Sequence, residues 1–171
     1  IKVINSIPPE HPILFVPDQN LGNFVALKTG RKIESWPGYC PTHHEVSAEE
    51  ILAQKARYPE APVVVHPECR LEVIELADET LSTGGILKYV KQSPAREFII
   101  GTEVGLLHQL TKRFPEKVFH MAREEFLCPN MKLITLEKLA KVMETLEPAV
   151  EVPEDIRIKA YNSLERMLDI S

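Results

Sequence analysis

Short apolar runs alternate with longer amphipathic stretches along most of the chain. The runs are short and end at proline, glycine or polar residues, so they predict buried strands at residues 13–16, 62–65, 98–100 and 118–120. The stretches carry helix signals, such as the Ser47 and Glu50 capping box, and predict helices at 21–28, 47–58, 71–77, 82–91, 104–113, 136–146 and 153–168. This alternation predicts an α/β fold, with a parallel sheet covered by helices on both faces in three α/β/α layers.

Polar residues gather where the predicted strands end. Asp18, His66 with Glu68, residues 101–103 and His120 each close or follow a strand. Ligands of open parallel sheets bind beyond the carboxyl ends of the strands. These positions are therefore the first candidates for chemistry.

Composition and charge narrow the class of protein. The chain has 171 residues, of which 44% are hydrophobic and 26% charged, enough for a globular core. Its formal net charge is −5 and its basic residues are scattered, which disfavours a nucleic-acid or anionic-membrane surface. No apolar run approaches the roughly 20 residues of a membrane span, and no secretory signal is evident, so we expect a cytoplasmic protein without membrane contact.

Three cysteines, an odd number, argue for thiols or metal ligands rather than a disulfide framework. Cys40 and Cys128 lie in segments predicted to be loops, and each precedes a proline, a pairing that recurs at iron–sulfur ligands. Two buried, inert thiols would show the same pattern. The spacing of Cys40 and His43 would also suit half of a zinc site.

His66 and Glu68 are suited to proton transfer at the end of a buried strand. Histidine titrates near neutral pH, and a glutamate whose pKa is raised by partial burial can act as a base. The alternative is a helix start, with Glu68 favourable to the helix dipole and His66 merely exposed.

A hydroxyl- and glycine-rich segment, residues 82–85, opens a predicted helix. Ser82 and Thr83, together with the free N–H groups of the first turn, could bind a phosphate or carboxylate. A simple N-cap explains the same residues.

Taken in order, several segments resemble the quinolinate synthase family: 17–22, the loop around Cys40, 66–69, 77–84, 100–105 and 128–132. The resemblance covers most of the chain and implies the C-terminal part of the family sequence. The family is built from three similar α/β domains in a pseudo-threefold arrangement. On that resemblance, residues 1–38 end a preceding domain, 39–127 form a complete α/β/α domain, and 128–171 form a cysteine loop and helices.

The resemblance also implies a function: condensation of iminoaspartate with dihydroxyacetone phosphate to quinolinate, with loss of phosphate and water, in NAD biosynthesis. It implies a [4Fe–4S] cluster with Cys40 and Cys128 as two of its three cysteine ligands and one iron site open to substrate. Cys69 is not expected to replace the third, which should come from an earlier domain.

The implied site residues are few. Catalytic roles fall to Glu68, His66 and His43, and substrate binding to His66, Ser82 and Thr83. The implied partners are the two substrates and an aspartate oxidase or aspartate dehydrogenase that produces iminoaspartate. Two alternatives stay open: an inactive or structural fragment of the enzyme, and a cluster-free α/β protein that binds a phosphorylated metabolite.

Overall fold

The computed structural model describes residues 1–170, which form two compact units. Residues 12–127 make up the larger unit, and residues 1–11 with the chain from Cys128 onward make up the smaller. The division at residues 38 and 127 expected from the sequence stays a prediction. The elements are, in order, α1 (Lys2–Ser6), β1 (Leu14–Phe15), α2 (Gln19–Thr29), β2 (Glu34–Ser35), α3 (Pro41–His44), α4 (Ala48–Arg57), β3 (Val63–Val65), α5 (Leu71–Ile74), β4 (Glu79–Thr80), α6 (Thr83–Gln92), β5 (Glu97–Gly101), α7 (Gly105–Arg113), β6 (Val118–Met121), a 3-10 turn (Met131–Leu133), α8 (Leu136–Thr145) and α9 (Glu154–Ile170).

The larger unit is organised around a four-stranded parallel sheet in the order β4-β3-β5-β6. Its central strands read Val-Val-Val and Phe-Ile-Ile because a strand covered on both faces needs apolar side chains on both. A second, two-stranded parallel sheet pairs β1 with β2. Helix α2 lies against it, begins at the Asp18 cap and ends at Gly30, whose φ of 66° suits glycine.

One face of the larger sheet packs against α6 and α7. Val64, Phe98 and Ile100 point to this face and are fully buried with Ile86 of α6 and Leu110 of α7. Successive side chains of a strand alternate between faces, so the intervening Val63, Val65 and Ile99, also fully buried, line the other face.

Helix α5 covers that second face. The chain moves from β3 outward to β4 through α5, and from β5 outward to β6 through α7, which are opposite directions across the sheet. Because crossovers between parallel strands are right-handed, α5 and α7 lie on opposite faces. Helix α4 packs on α5. The predicted α/β fold with parallel sheets is confirmed.

Local structure departs from the sequence-based expectation in several places, of which the following concern the site and the sheets. The segment after Cys40, predicted to be loop, contains the short helix α3. His120 lies within β6, opposite Ile99, and not beyond the end of a strand. Strands β2 and β4 were not predicted, because two residues are too few to show a periodicity.

The smaller unit is helical. Its helices α1 and α9 contact each other, and α8 precedes α9 along the chain. Ile4 of α1 is buried, whereas large apolar side chains of α8 and α9 such as Leu136 and Leu168 are exposed. Within residues 1–170, no helix combines the length and the apolar character needed to cross a bilayer.

Candidate functional site

Polar side chains converge at the carboxyl ends of β3, β4 and β5. His66 follows β3 directly and is tied to its neighbour strand by a hydrogen bond from its backbone N–H to the carbonyl of Gly101, 3.0 Å long. Thr102 and Glu103 follow β5, and both are buried. The parallel register thus gathers these residues at one edge of the sheet.

The loop that carries Cys40 is held by Asp18. One carboxylate oxygen of Asp18 accepts the backbone N–H of Leu21 at 2.8 Å and caps α2, while the other accepts the backbone N–H of Cys40 at 2.7 Å. Gly38 permits this approach, because a Cβ there would lie 2.5 Å from the carbonyl oxygen of Pro17. Cys40 is therefore fixed at the N-terminus of α3, with Pro41 as the first helical residue.

Helix α3 carries His43, which is buried at the carboxyl ends of β3 and β5. Its Nε2 lies 3.0 Å from the Thr102 hydroxyl, and its Nδ1 lies 3.0 Å from Oε2 of Glu68. The buried Nδ1 is not aligned for a hydrogen bond, so its contact with Glu68 is a close approach without hydrogen-bond geometry. The ring also meets the edge of Phe126, at 5.7 Å between centroids.

His66 stacks on His43. Their ring centroids are 4.4 Å apart and the ring planes 17° from parallel. His66 Nδ1 lies 3.5 Å from Oε2 of Glu68, so both imidazoles approach the same carboxylate oxygen.

The pKa values of Glu68 and His66 both move down, for different reasons. Burial lowers the pKa of His66 to about 4, and the neighbouring His43 adds to the effect. The contact with His43 holds the pKa of Glu68 below its usual value and outweighs the opposing effect of burial. Burial does act to raise the pKa of Glu68, as the sequence suggested, but His43 reverses the net shift, so the site favours an ionised carboxylate beside a neutral His66.

Asn20 and His44 belong to the same region and were missed by the sequence analysis. The buried side-chain amide of Asn20 donates to the carbonyl of Glu68 at 3.0 Å and lies 3.0 Å from Nδ1 of His44, while Tyr39 stacks on His44 with centroids 4.1 Å apart. Asn20 thus ties α2 to the segment that carries Glu68. Its place two residues after the Asp18 cap was the available signal, but its partner lies 48 positions away.

The third cysteine, Cys69, has no exposed surface. Its sulfur lies 3.8 Å from the carbonyl of Gly101, and burial raises the pKa of the thiol to about 12. A thiol held in this protonated state does not suit a metal ligand.

The structure brings together four of the seven residues expected at the site: Cys40, His43, His66 and Glu68. Ser82 and Thr83 are exposed and begin α6 just after β4, at the same sheet edge, and the Ser82 hydroxyl accepts the N–H of Gly85 at 3.3 Å. Cys128 belongs to the other compact unit.

The donor atoms fit a metal-binding role. One ligand atom each of Cys40, His43 and Glu68 lies within 4.8 Å of the other two. For a cluster with cysteine ligands, residues 12–127 offer Cys40 on a tethered loop and the inert Cys69, so this unit would supply one ligand.

Comparison with known proteins is consistent with this geometry. The family described as Quinolinate synthetase A protein matches residues 1–169. The chain belongs to this family. Quinolinate synthase of Desulforudis audaxviator (strain MP104C) is 51% identical over 168 residues, which cover 98% of this chain and 55% of that protein. Quinolinate synthase 1 of Methanosarcina acetivorans is 47% identical over 170 residues, covering 99% of this chain and 56% of that protein. The chain thus spans about half the length of the curated relatives it matches.

Proposed function

We propose that this chain forms part of the active site of a quinolinate synthase, which condenses iminoaspartate with dihydroxyacetone phosphate to quinolinate with loss of phosphate and water. The observation that carries the proposal is the group formed by Cys40, His43, His66 and Glu68 at the carboxyl ends of a parallel sheet, in a chain of the quinolinate synthetase family. The reaction would serve NAD biosynthesis, with iminoaspartate supplied by an aspartate oxidase or dehydrogenase. We place it in the cytoplasm, whose reducing conditions would keep Cys40 and Cys128 from forming disulfides and so able to bind a cluster.

Two cysteines of this chain would hold a [4Fe–4S] cluster. Cys40 and Cys128 are the proposed ligands, and a third would come from a part of the relatives' length that this chain does not span. When bound, an iron with an open coordination position supplies a Lewis acid that polarises a carbonyl or hydroxyl oxygen of the substrate. The tether from Asp18 to the backbone of Cys40 fixes where that thiolate stands.

Glu68 is the proposed general base. The contact with His43 lowers the pKa of its carboxyl group, which favours the ionised form that can accept a proton from the substrate. His43 Nδ1 lies 3.0 Å from the same carboxylate and could take up that proton once the two side chains turn into hydrogen-bond alignment. The Thr102 hydroxyl at the opposite ring nitrogen keeps the imidazole in position.

His66 is the proposed hydrogen-bond donor to a substrate oxygen. With a pKa of about 4 it is neutral at physiological pH. The backbone N–H of Glu68 lies 3.4 Å from Nδ1, which leaves the ring proton on Nε2. That N–H can donate to a carboxylate or phosphate oxygen of the substrate.

Ser82 and Thr83 are proposed to bind the phosphate or a carboxylate of the substrate. They open α6 at the same sheet edge as His66, because β4 pairs with β3 in parallel. The helix dipole and the unpaired N–H groups of the first turn favour an anion there.

The proposal is tested with the complete polypeptide, purified and reconstituted without oxygen. We expect quinolinate to form from iminoaspartate and dihydroxyacetone phosphate, and both the cluster absorbance and this activity to be lost in Cys40→Ser and in Cys128→Ser. Cys69→Ala is the matched control and should keep both, because the Cys69 thiol is buried and protonated. A complete polypeptide that loads its cluster but forms no quinolinate would refute the proposed reaction, and a cluster retained in Cys40→Ser would refute the ligand assignment.

A further inference from the structure

We propose that Cys40, His43 and Glu68 also form a mononuclear site for a divalent transition metal of the Zn²⁺ type, which the chain can fill when it carries no iron–sulfur cluster. The site uses one sulfur, one nitrogen and one oxygen donor. It goes beyond the proposed reaction, since it needs neither substrate nor the cysteine of the smaller unit.

The geometry of the three donors carries the proposal. Their ligand atoms all lie within 4.8 Å of one another, and His43 Nδ1 and Glu68 Oε2 are already 3.0 Å apart. In a tetrahedral zinc site the bond lengths place neighbouring ligand atoms roughly 3.3 to 3.7 Å apart. Changes in separation of up to about 1.5 Å, within reach of side-chain rotation at Cys40 and Glu68, would therefore close the site around an ion.

His43 is oriented for metal binding. Its side chain is only 10% exposed, and its Nδ1 is buried without a hydrogen-bond partner while facing the other two donors. Its opposite ring nitrogen lies 3.0 Å from the Thr102 hydroxyl. Metal-binding histidines typically use one nitrogen for the metal and donate the other N–H to a neighbouring acceptor, and the Thr102 hydroxyl is placed to be that acceptor.

The other two donors suit the same ion. A thiolate and an imidazole favour Zn²⁺ over Mg²⁺ or Ca²⁺, and three protein ligands leave a fourth position for water. Glu68 supplies a carboxylate oxygen, which zinc also accepts as a ligand. The Cys40 thiol would release its proton to solvent as the metal–sulfur bond forms.

Cobalt(II) is the probe for this site. The 171-residue chain is purified without added iron or sulfide, stripped of metal with a chelator and titrated with Co²⁺ and then Zn²⁺. We expect one Co²⁺ per chain, tetrahedral d–d bands in the visible, a thiolate-to-cobalt charge-transfer band in the near ultraviolet, and displacement of Co²⁺ by Zn²⁺.

Variants assign the ligands. Cys40→Ser should abolish the charge-transfer band, and His43→Gln and Glu68→Gln should each weaken Co²⁺ binding by more than the ~10- to 100-fold typical of a lost outer partner. Thr102→Val removes the outer partner of His43 and should therefore weaken Co²⁺ binding by only ~10- to 100-fold. His108→Gln, an exposed histidine of α7, is the matched control and should bind Co²⁺ as the unaltered chain does. Far-ultraviolet circular dichroism of each metal-free variant shows whether it is folded.

Cys128→Ser separates this site from the cluster site. Because Cys128 is a proposed cluster ligand and lies in the other unit, this variant should lose the cluster in the complete polypeptide yet keep Co²⁺ binding in the chain. Failure of the unaltered chain to bind Co²⁺, an unchanged spectrum in Cys40→Ser, or loss of Co²⁺ binding in Cys128→Ser would each overturn the mononuclear site. None of these results bears on whether the complete polypeptide forms quinolinate.

Discussion

At the scale of single residues, burial and the neighbouring imidazoles shift the pKa of one carboxyl group, that of Glu68, in opposite directions. Burial alone would raise the pKa of Glu68, but two imidazoles approach one of its oxygens, and the contact with His43 is the larger effect. For His66 the nearby carboxylates raise the pKa by less than burial lowers it, so its pKa falls to about 4. The result favours an ionised carboxylate, which can accept a proton, beside a neutral imidazole, which can donate a hydrogen bond.

Replacing Glu68 by glutamine tests the proton-transfer role. Glu68→Gln keeps the shape and hydrogen-bonding capacity of the side chain but removes its titratable group, so turnover should fall roughly 10²- to 10⁴-fold. The measurement is steady-state quinolinate formation by the complete polypeptide under anaerobic conditions, with cluster content checked by absorbance and expected to be unchanged. Glu75→Gln, at an exposed position just after α5, is the control and should leave turnover as it is. Near-normal turnover of Glu68→Gln would remove Glu68 from the mechanism.

The three thiols should differ in reactivity. Cys69 has no exposed surface and its pKa is raised to about 12 by burial, so almost no thiolate forms at neutral pH. Cys40 and Cys128 are partly exposed. Alkylation of the folded, metal-free chain should modify these two first and Cys69 only on addition of denaturant, as read by peptide mass spectrometry. Labelling of Cys69 as fast as Cys40 in the folded chain would contradict this packing.

At the scale of elements, the sequence predicted the strands and helices whose apolar pattern is long enough to recognise. Strand β3, with three consecutive valines, and α4, with its Ser47 and Glu50 capping box, lie where the pattern placed them. Strand β4 has no apolar signal of its own and forms because β3 offers a partner backbone. Helix α3 was not predicted, because the prolines and glycine around Cys40 are typical of a loop. Proline is, however, also favoured in the first turn of a helix, where Pro41 lies.

The candidate site was predictable to the extent that it follows from strand ends. The rule for parallel sheets pointed to His66 and Glu68, which lie at the end of β3 as expected. The contact of His43 with Glu68 and Thr102 depends on how α3 packs against two strands of distant sequence, which local pattern does not encode. His120 shows the limit of the rule, since it lies inside β6 beside Glu97 and Tyr58.

The start of α6 can be tested as an anion site separately from the metal. In the complete polypeptide, replacing both Ser82 and Thr83 by alanine should weaken dihydroxyacetone phosphate or quinolinate binding by about 1 to 3 kcal/mol, the range for a few hydrogen bonds to a charged ligand, with cluster absorbance unchanged. The same change removes an N-cap, which costs about 1 kcal/mol of stability. Affinity is measured by calorimetry and the folded fraction by circular dichroism.

Thr135→Ala provides the matched control for that experiment. Its hydroxyl caps α8 through the N–H of Lys138 at 3.3 Å, so its loss costs a similar cap in a helix that has no proposed ligand. Ligand affinity should be unchanged in this control. Unchanged affinity in a folded Ser82 and Thr83 double variant would leave these residues as a cap alone.

At the scale of the whole molecule, the core is distributed unequally between the two units. Among the described residues, every buried apolar side chain except Ile4 lies in residues 12–127. That unit also contains both sheets and the group of Cys40, His43, His66 and Glu68. This region is one continuous stretch of chain, it has its own core, and all strands of its two sheets pair within it. It therefore meets the requirements of an independently folding domain.

We therefore expect a fragment of residues 12–127 to fold by itself. Its circular dichroism spectrum should be that of a protein with helices and strands, and it should unfold in urea in one cooperative transition. The reason is that the fragment retains the buried apolar area that drives folding. Ile99→Val tests whether the core of the fragment packs as it does in the 171-residue chain, since Ile99 is fully buried within this unit. The substitution should lower the free energy of unfolding by about 0.5 to 1.5 kcal/mol, and by the same amount in the fragment as in the 171-residue chain. A fragment without a cooperative transition, or a core substitution with unequal effects in the two contexts, would show that residues outside 12–127 help to form this core.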